Sequence, residues 1–492
     1  MSQKSILSKK HIFSPWLVVA IFILCGSIYF LTYRNMPIVR NALIYEKIAN
    51  HLMKEGGGLS HSFRTYNKPL GFVWISLPFI KLLGGNIGLK VVSFLGTVMW
   101  SLSIVLLFYR LKRYSEPLLN NHFEVTIYAL FTLFNPLVFY QFISAYPDIF
   151  FAFGFLWSIY FMDRMLSLEV KWFDNIMFVI STLFSIGIKQ EGFVIFPILF
   201  IFLISRSKVI KLQVRNNLKG LLFWFLGIII LIIITIFIQS GKIVLFNTGD
   251  NIREYMSGDN RLEIIAKNII SLKDYIFLSF SILTILLFWW PSFKKYKEWY
   301  LTIIIFILSL LFYNGTRYNL RYFIALSPFI VWVIGNNFKK ATKIQKILVI
   351  SSFIIINFIN IAYYNSISFH KFIHKRFRIR FTRFDNLRLT AGQYEAKKDI
   401  DSINKLFREG KDTLIFVSRY YGDAEWYIWQ RSGLFPEGLR IIYVYSWNDK
   451  LLSNNNIKEA IVYERRVFKK GRKKNDKSIE FTDNVRIESL PY

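Results

Sequence analysis

The chain has 492 residues, of which 54% are hydrophobic and 18% aromatic, with 50 phenylalanines. Runs such as Leu221–Gln239 and Ile347–Tyr363 carry almost no charge and approach the ~20 residues a spanning helix needs, which excludes a soluble enzyme and makes this a polytopic membrane protein. The formal net charge of +31 belongs largely to orienting loops, and the single cysteine, Cys25, lies in the first apolar run, so no intrachain disulfide forms.

Lys4, Lys9 and Lys10 followed by the apolar stretch Trp16–Tyr33 predict an uncleaved signal anchor with its N-terminus inside. Asn41–Pro69 is then a polar stretch rich in basic and aromatic residues. Ile44, Ile48, Ala49 and Leu52 recur at helical spacing and predict a short amphipathic helix on a membrane surface. Gly56-Gly57-Gly58 ends it, because glycine enters positive φ at least cost. Pro69–Leu83 reads as a second short helix, with proline in its favoured first turn.

Further spans are expected near Leu89–Tyr109, Phe123–Tyr140, Ile149–Met165, Trp172–Ile188, Phe193–Ile204 and Leu221–Gln239. Tyr275–Pro291, Tyr300–Tyr313, Tyr322–Ile334 and Ile347–Tyr363 bring the expected count to about eleven. Parity argues that Pro69–Leu83 does not cross. Only then do Arg110/Lys112/Arg113, Arg206/Lys208/Lys211/Arg215, Lys294/Lys295/Lys297 and Lys339/Lys340/Lys343 all fall inside. The same count puts the Asn41–Lys68 loop, Asp148, Lys189-Gln190-Glu191, Arg253–Arg261 and Arg317–Arg321 together on the outer face.

From about His370 the composition becomes that of a soluble domain. The expected division is a transmembrane domain over 1–369 and a small α/β domain on the outer face over 370–492. Phe377–Phe381 alternates like a strand with one cationic face, while Thr413–Val417 and Leu439–Tyr445 read as buried strands flanking a helix near Asp423–Trp429.

Asp148, in Ala-Tyr-Pro-Asp-Ile-Phe, sits between two expected spans. It is either a helix cap or, as a carboxylate at membrane depth, a functional group. Lys189 and Glu191 bracket Gln190, where a snorkelling lysine with a local ion pair is the plainer alternative. Arg317, Arg321 and Tyr322 lie at the mouth of another span, as interface anchors or as a fork for a lipid phosphate. Lys68, just before Pro69, allows the same two readings. The histidines show no metal-ligand spacing beyond the lone His370/His374 pair, so no protein-built metal cage is expected. No Walker loop or dinucleotide fingerprint appears.

Asn41-Ala-Leu-Ile-Tyr45-Glu46-Lys-Ile-Ala49, Lys68-Pro69-Leu70, Pro147-Asp148, Lys189 and Arg321-Tyr322 with Pro328 fall in an order that resembles the GT-C integral-membrane glycosyltransferases. The likeness is to the branch holding the lipid A aminoarabinose transferases and protein O-mannosyltransferases, over roughly residues 10–340. It implies an all-α polytopic domain with two surface helices in its first outer loop and a small soluble C-terminal domain. It implies a multi-pass protein of the inner (plasma) membrane that takes a sugar from a polyprenyl-phosphate carrier and passes it to a lipid, glycan or protein acceptor at the outer face. Carried over by position, Asp148 is the second family carboxylate, and Lys68 and Arg321 hold the carrier phosphate, with Lys189 as a further cation. Tyr45, Tyr66, Glu191 and Tyr322 are the expected sugar or acceptor contacts.

One position departs from the family. Where the family shows Asp-Glu, this chain has Asn41-Ala42, and an amide cannot act as a general base. Either Asp148 or Glu46 takes that role, or the acceptor needs no base, or the chain is a degenerate binding or accessory subunit. A glycan polymerase or ligase is a further alternative, and a lipid-linked-sugar transporter another. No cofactor is called for, a divalent cation is left open, and no nucleic-acid partner is expected.

Overall fold

Ser14 opens the first helix, α1 (Pro15–Tyr33), by accepting a hydrogen bond from the Trp16 amide at 3.3 Å, with Pro15 at the first helical position. The computed structural model describes residues 14–34, 41–55, 71–112, 121–166, 171–205, 226–227, 301–308, 324–338, 341–365, 401–417, 438–444, 452, 457–464 and 485–489. Leu17, Ile21, Leu24, Ile28 and Leu31 of α1 point outward as an exposed apolar stripe, while Phe22 is fully buried against Phe134, Phe139 and Phe142. Such a stripe is a liability in water and the expected surface in lipid.

The helices that follow are α2 (Asn41–Glu55), α3 (Gly71–Leu83), α4 (Gly85–Lys112), α5 (Asn121–Leu133), the single turn α6 (Pro136–Phe139), α7 (Asp148–Met165), α8 (Trp172–Ile188) and α9 (Ile195–Ser205). Further on come α10 (Ser327–Phe338) and α11 (Lys343–Asn365). Leu95, Met99, Leu102 and Leu106 repeat the outward stripe on α4, as do Ile344, Ile347, Leu348, Ile354 and Ile355 on α11. Among the described residues, α1 and α4 are long and apolar enough to cross a membrane alone, and a bent pair, Val125–Leu133 with Leu137–Ile143, would make a third span. The protein is an integral membrane protein. Of the other expected spans, Ile149–Met165 falls within the 18-residue α7, Trp172–Ile188 is the 17-residue α8 and Ile347–Tyr363 falls within the 23-residue α11, while most of Leu221–Gln239 and all of Tyr275–Pro291 lie outside the described residues.

Two expected boundaries shift for local reasons. The expected Phe123–Tyr140 helix is broken before Asn135, with a bend of 67° between its halves. Pro136 cannot continue a helix, and the Asn135 side chain caps the next turn by accepting from the Leu137 amide at 3.0 Å. Phe193–Ile204 is a 3-10 turn, Gln190–Val194, followed by the 11-residue α9. The described part of Pro69–Leu83 is the 13-residue α3, about 20 Å long and short of the ~30 Å hydrocarbon core. Gly84, at φ +78°, ends it in the left-handed region, and α3 folds back on α4 so closely that a Cβ on Gly88 would come within 2.6 Å of the Phe79 carbonyl oxygen.

The chain divides into two compact units, Met1–Arg34 with Ile44–Ala362, and Asn35–Leu43 with Tyr363–Tyr492. The second contains a four-stranded sheet of β1 (Thr413–Val417), β2 (Arg440–Val444), β3 (Glu459–Glu464) and β4 (Val485–Ser489), in the order β2-β1-β3-β4. β1 runs parallel to both β2 and β3, and β3 pairs antiparallel with β4. Ile415, Leu452, Ile457, Ala460 and Val462 form its core. A helix over residues 401–408 leads into β1 through Gly410 at φ +93°, the Lys411 amide bonding the Leu406 carbonyl at 3.1 Å. Lys411 also pairs with Glu459. The expected strand at Phe377–Phe381 and helix at Asp423–Trp429 lie outside the described residues.

The most extensive helix pair described is α7 against α8. Gly154 sets their approach, since a Cβ there would come within 3.1 Å of the Ser185 backbone and 2.9 Å of the Phe184 ring. Gly154→Ala is therefore expected to lower the thermal unfolding midpoint, overpacking costing ~1–3 kcal/mol. Gly187→Ala on the same pair, where a Cβ meets nothing within 4 Å, is the matched control and leaves the midpoint near wild type.

Candidate active site at one end of the helical unit

The segment before α7 is built to present Asp148. Ser144 donates to the Gln141 side-chain oxygen at 2.9 Å, and the Tyr146 amide donates to the Ser144 hydroxyl at 3.4 Å. Between them Ala145 holds φ +54°, a left-handed conformation costing a non-glycine residue roughly 1–3 kcal/mol. Pro147 is the N-cap residue, and its carbonyl accepts from the Phe151 amide at 2.9 Å. Asp148 thus stands in the first turn, where the helix dipole favours a carboxylate. Capping does not account for it alone: its Oδ1 accepts a 2.8 Å hydrogen bond from Lys189, 41 residues away.

Lys189 leaves α8 in an extended conformation, φ −149° and ψ 142°, its amide still bonded to the Ser185 carbonyl at 3.0 Å. The chain then doubles back as the 3-10 turn, the Gly192 amide bonding the Lys189 carbonyl at 3.0 Å. A side chain at 192 would collide with the Ile186 backbone, a Cβ lying 2.7 Å from its nitrogen. That return places Glu191 Oε1 at 3.5 Å from Lys189 Nζ, and Nζ also lies 5.7 Å from the Phe151 ring centre.

The result is one ammonium between two carboxylates, with side chains 1% (Asp148), 9% (Lys189) and 10% (Glu191) exposed. Snorkelling does not describe this lysine, since it is buried and its shorter bond is to Asp148. At the opposite end of the α7–α8 hairpin Arg164 pairs with Asp174 at 3.5 Å. The 18 residues of α7 rise about 27 Å, close to the thickness of a hydrocarbon core, and carry one pair near each end.

The first loop closes on the Asp148 end. Tyr45 and Glu46, on adjacent positions of α2, are both buried. The Tyr45 ring meets Phe72 of α3 edge-on at 5.2 Å, and Phe72 meets Phe150, in the first turn of α7, at 5.9 Å. Gly71, the first residue of α3, abuts the end of α8: a Cβ on it would lie 2.6 Å from the Gly187 carbonyl oxygen, two residues before Lys189. Asp148, Lys189, Glu191, Tyr45 and Glu46 are therefore gathered at one end of the helical unit. Asn41 opens α2, but its side chain, like Lys68, Tyr66, Arg321 and Tyr322, lies outside the described residues.

Three features at this end escaped the sequence reading. Phe151 lies beneath the Lys189 ammonium, and nothing in an aromatic-rich run marks it out. Ala145 shows its strain only in the backbone. Lys90, 2% exposed, donates to the Arg34 carbonyl at 3.0 Å, and its signal was a lone cation inside an apolar run.

No family model matches the chain, and no curated protein does. Among solved structures it is similar to ArnT from Cupriavidus metallidurans, determined with undecaprenyl phosphate bound. The two chains are 11% identical, and the match covers 91% of this chain and 92% of the other with a TM-score of 0.50. This chain has a GT-C-like fold. At that identity the likeness speaks for the fold, and the GT-C-like architecture agrees with the order of motifs that runs from Asn41 to Pro328.

Removing Lys189 alone would take the ammonium away from two buried carboxylates. Lys189→Met is expected to lose ~3–5 kcal/mol of stability, and combining it with Asp148→Asn to recover part of that loss. Thermal unfolding of the single and double variants in lipid nanodiscs checks this. Strictly additive effects would mean that the pair is not coupled.

Proposed function

We propose that this protein is a membrane glycosyltransferase moving a sugar from a polyprenyl-phosphate carrier to an envelope lipid, glycan or protein acceptor at the outer face of the plasma membrane. The observation carrying this reading is the buried Asp148–Lys189–Glu191 cluster at the end of a GT-C-like fold where the first loop converges. Buried charges at membrane depth are costly and are retained mainly for function. The neighbouring structure of the same fold holds undecaprenyl phosphate, a carrier of this chemical class.

In the proposed reaction an acceptor oxygen attacks the anomeric carbon and forms the new glycosidic bond. The bond from that carbon to the phosphate oxygen breaks, and the electron pair leaves with the polyprenyl phosphate. A hydroxyl acceptor must also lose its proton, which passes to the Asp148 carboxylate. Lys189 orients that carboxylate, and its two carboxylate neighbours make it the least suited of the three candidate cations to bind a phosphate anion. Lys68 and Arg321 are assigned to the phosphate, where positive charge meets the negative charge developing on the leaving group. Tyr45, Tyr66, Glu191 and Tyr322 are assigned to the sugar and acceptor.

The amide at position 41 supports a second reading, a catalytically degenerate subunit that binds the carrier without transfer. Mass spectrometry of envelope glycans and glycolipids separates the two, comparing cells with the wild-type chain, without it, and with Asp148→Asn. Transfer predicts a glycosylated species that disappears with the chain. For a hydroxyl acceptor Asp148→Asn reduces it by ~10²–10⁴-fold, and for a phosphate acceptor, already an anion, by little. Unchanged glycans together with intact undecaprenyl phosphate binding would establish the accessory reading instead.

A further inference from the structure

Glu46 and Asp148 compete for the base role in the sequence, and the structure gives them different surroundings. Asp148 lies against a buried ammonium. Glu46, 2% exposed, lies against the start of α4, its carboxylate filling the space a Cβ on Gly85 would need. Gly85 is the first residue of α4, where unpaired backbone N–H groups and the helix dipole both favour a carboxylate. Five residues further along α4, the buried Lys90 ammonium donates to the Arg34 carbonyl, the point at which the chain leaves α1.

The two contacts hold opposite sides of one segment. Lys90 fixes the departure from α1, and Glu46 fixes α2, both to the first turn and a half of α4. Tyr45, beside Glu46, carries the attachment onward through Phe72 to Phe150 in the first turn of α7. The absence of a side chain at Gly85 is what admits the carboxylate, so helix and glycine fit as a pair.

We infer that Glu46 and Lys90 are positioning residues, which clasp the first loop to the N-terminal turns of α4 and so hold α2 and α3 against the Asp148 end of the bundle. Their bearing on turnover rests on the glycosyltransferase reading; the clasp itself does not. The Glu46 carboxylate is then engaged in holding α2, and the proton falls to Asp148.

The test is amide hydrogen exchange of the full chain in lipid nanodiscs, read across residues 42–52, together with undecaprenyl phosphate binding and transfer. Glu46→Ala and Lys90→Met are expected to speed exchange in α2 roughly tenfold, with α7 and α8 unchanged. Gly85→Ala should reproduce this without touching the carboxylate. Should it fail to accumulate, the other two variants carry the test, because they remove atoms instead of adding them. Glu46→Gln, which keeps the shape, should lower the transfer rate only severalfold and leave carrier binding unchanged. Unaltered exchange in Glu46→Ala and Lys90→Met would overturn the clasp. So would a ~10²–10⁴-fold loss of transfer in Glu46→Gln with exchange unaltered, which would make Glu46 the base. A chain that transfers nothing, yet loosens α2 in these variants, contradicts the proposed reaction and leaves the clasp standing.

Discussion

An ammonium and a carboxylate buried at the end of an apolar helix pair constrain everything around them. Neither Asp148 nor Lys189 could remain charged there alone, because desolvating a single ion costs several kcal/mol. Their 2.8 Å contact ties the start of α7 to the end of α8, and the Arg164–Asp174 pair ties the other end. Two helices pinned at both ends have one register. The strained turn at Ala145 and the doubled-back chain at Gly192 serve that register, one delivering Asp148 and the other returning Glu191 to the same lysine.

Around the pair the backbones approach unusually closely. Where α3 begins against α8 and where Glu46 meets α4, the contact residue is a glycine, and a methyl group would displace its partner. Without water in the hydrocarbon region there is little hydrophobic gain from helix association, so close packing and interhelical polar contacts must supply it. The chain places its small residues where the first loop must touch the bundle and leaves large apolar side chains on the faces turned to lipid. Charge, packing and loop placement thus serve the same end of the molecule.

Much of the helical layout was legible because apolar runs end at charges or proline. The Trp172–Ile188 helix begins and ends where the run does, between Lys171 and Lys189. The break before Pro136 is also written in the sequence, as Asn-Pro inside an apolar run whose length alone favours an unbroken helix. Two strands of this sheet, Thr413–Val417 and Arg440–Val444, stand out as apolar runs, whereas β3 has a glutamate at each end and β4 carries Arg486 and Glu488 in its interior, and both are built by pairing with their neighbours. Asp148, Lys189 and Glu191 were each visible as polar residues at span ends. That Asp148 takes Lys189 as its partner was not visible, since nothing local links residues 41 apart. The burial of Lys90 against the Arg34 carbonyl was hidden for the same reason.

In the proposed function the carrier's phosphate is handled at the Asp148–Lys189 end of the helical unit. The most direct measurement is photo-crosslinking of the full chain in nanodiscs with a polyprenyl phosphate bearing a photoreactive group beside the phosphate, the labelled residues being mapped by mass spectrometry. The account predicts labelling within Gly71–Val73, Asp148–Phe150 and Gln190–Val194, competed away by undecaprenyl phosphate. Labelling concentrated around Arg164 and Asp174, or labelling that undecaprenyl phosphate does not displace, would contradict it.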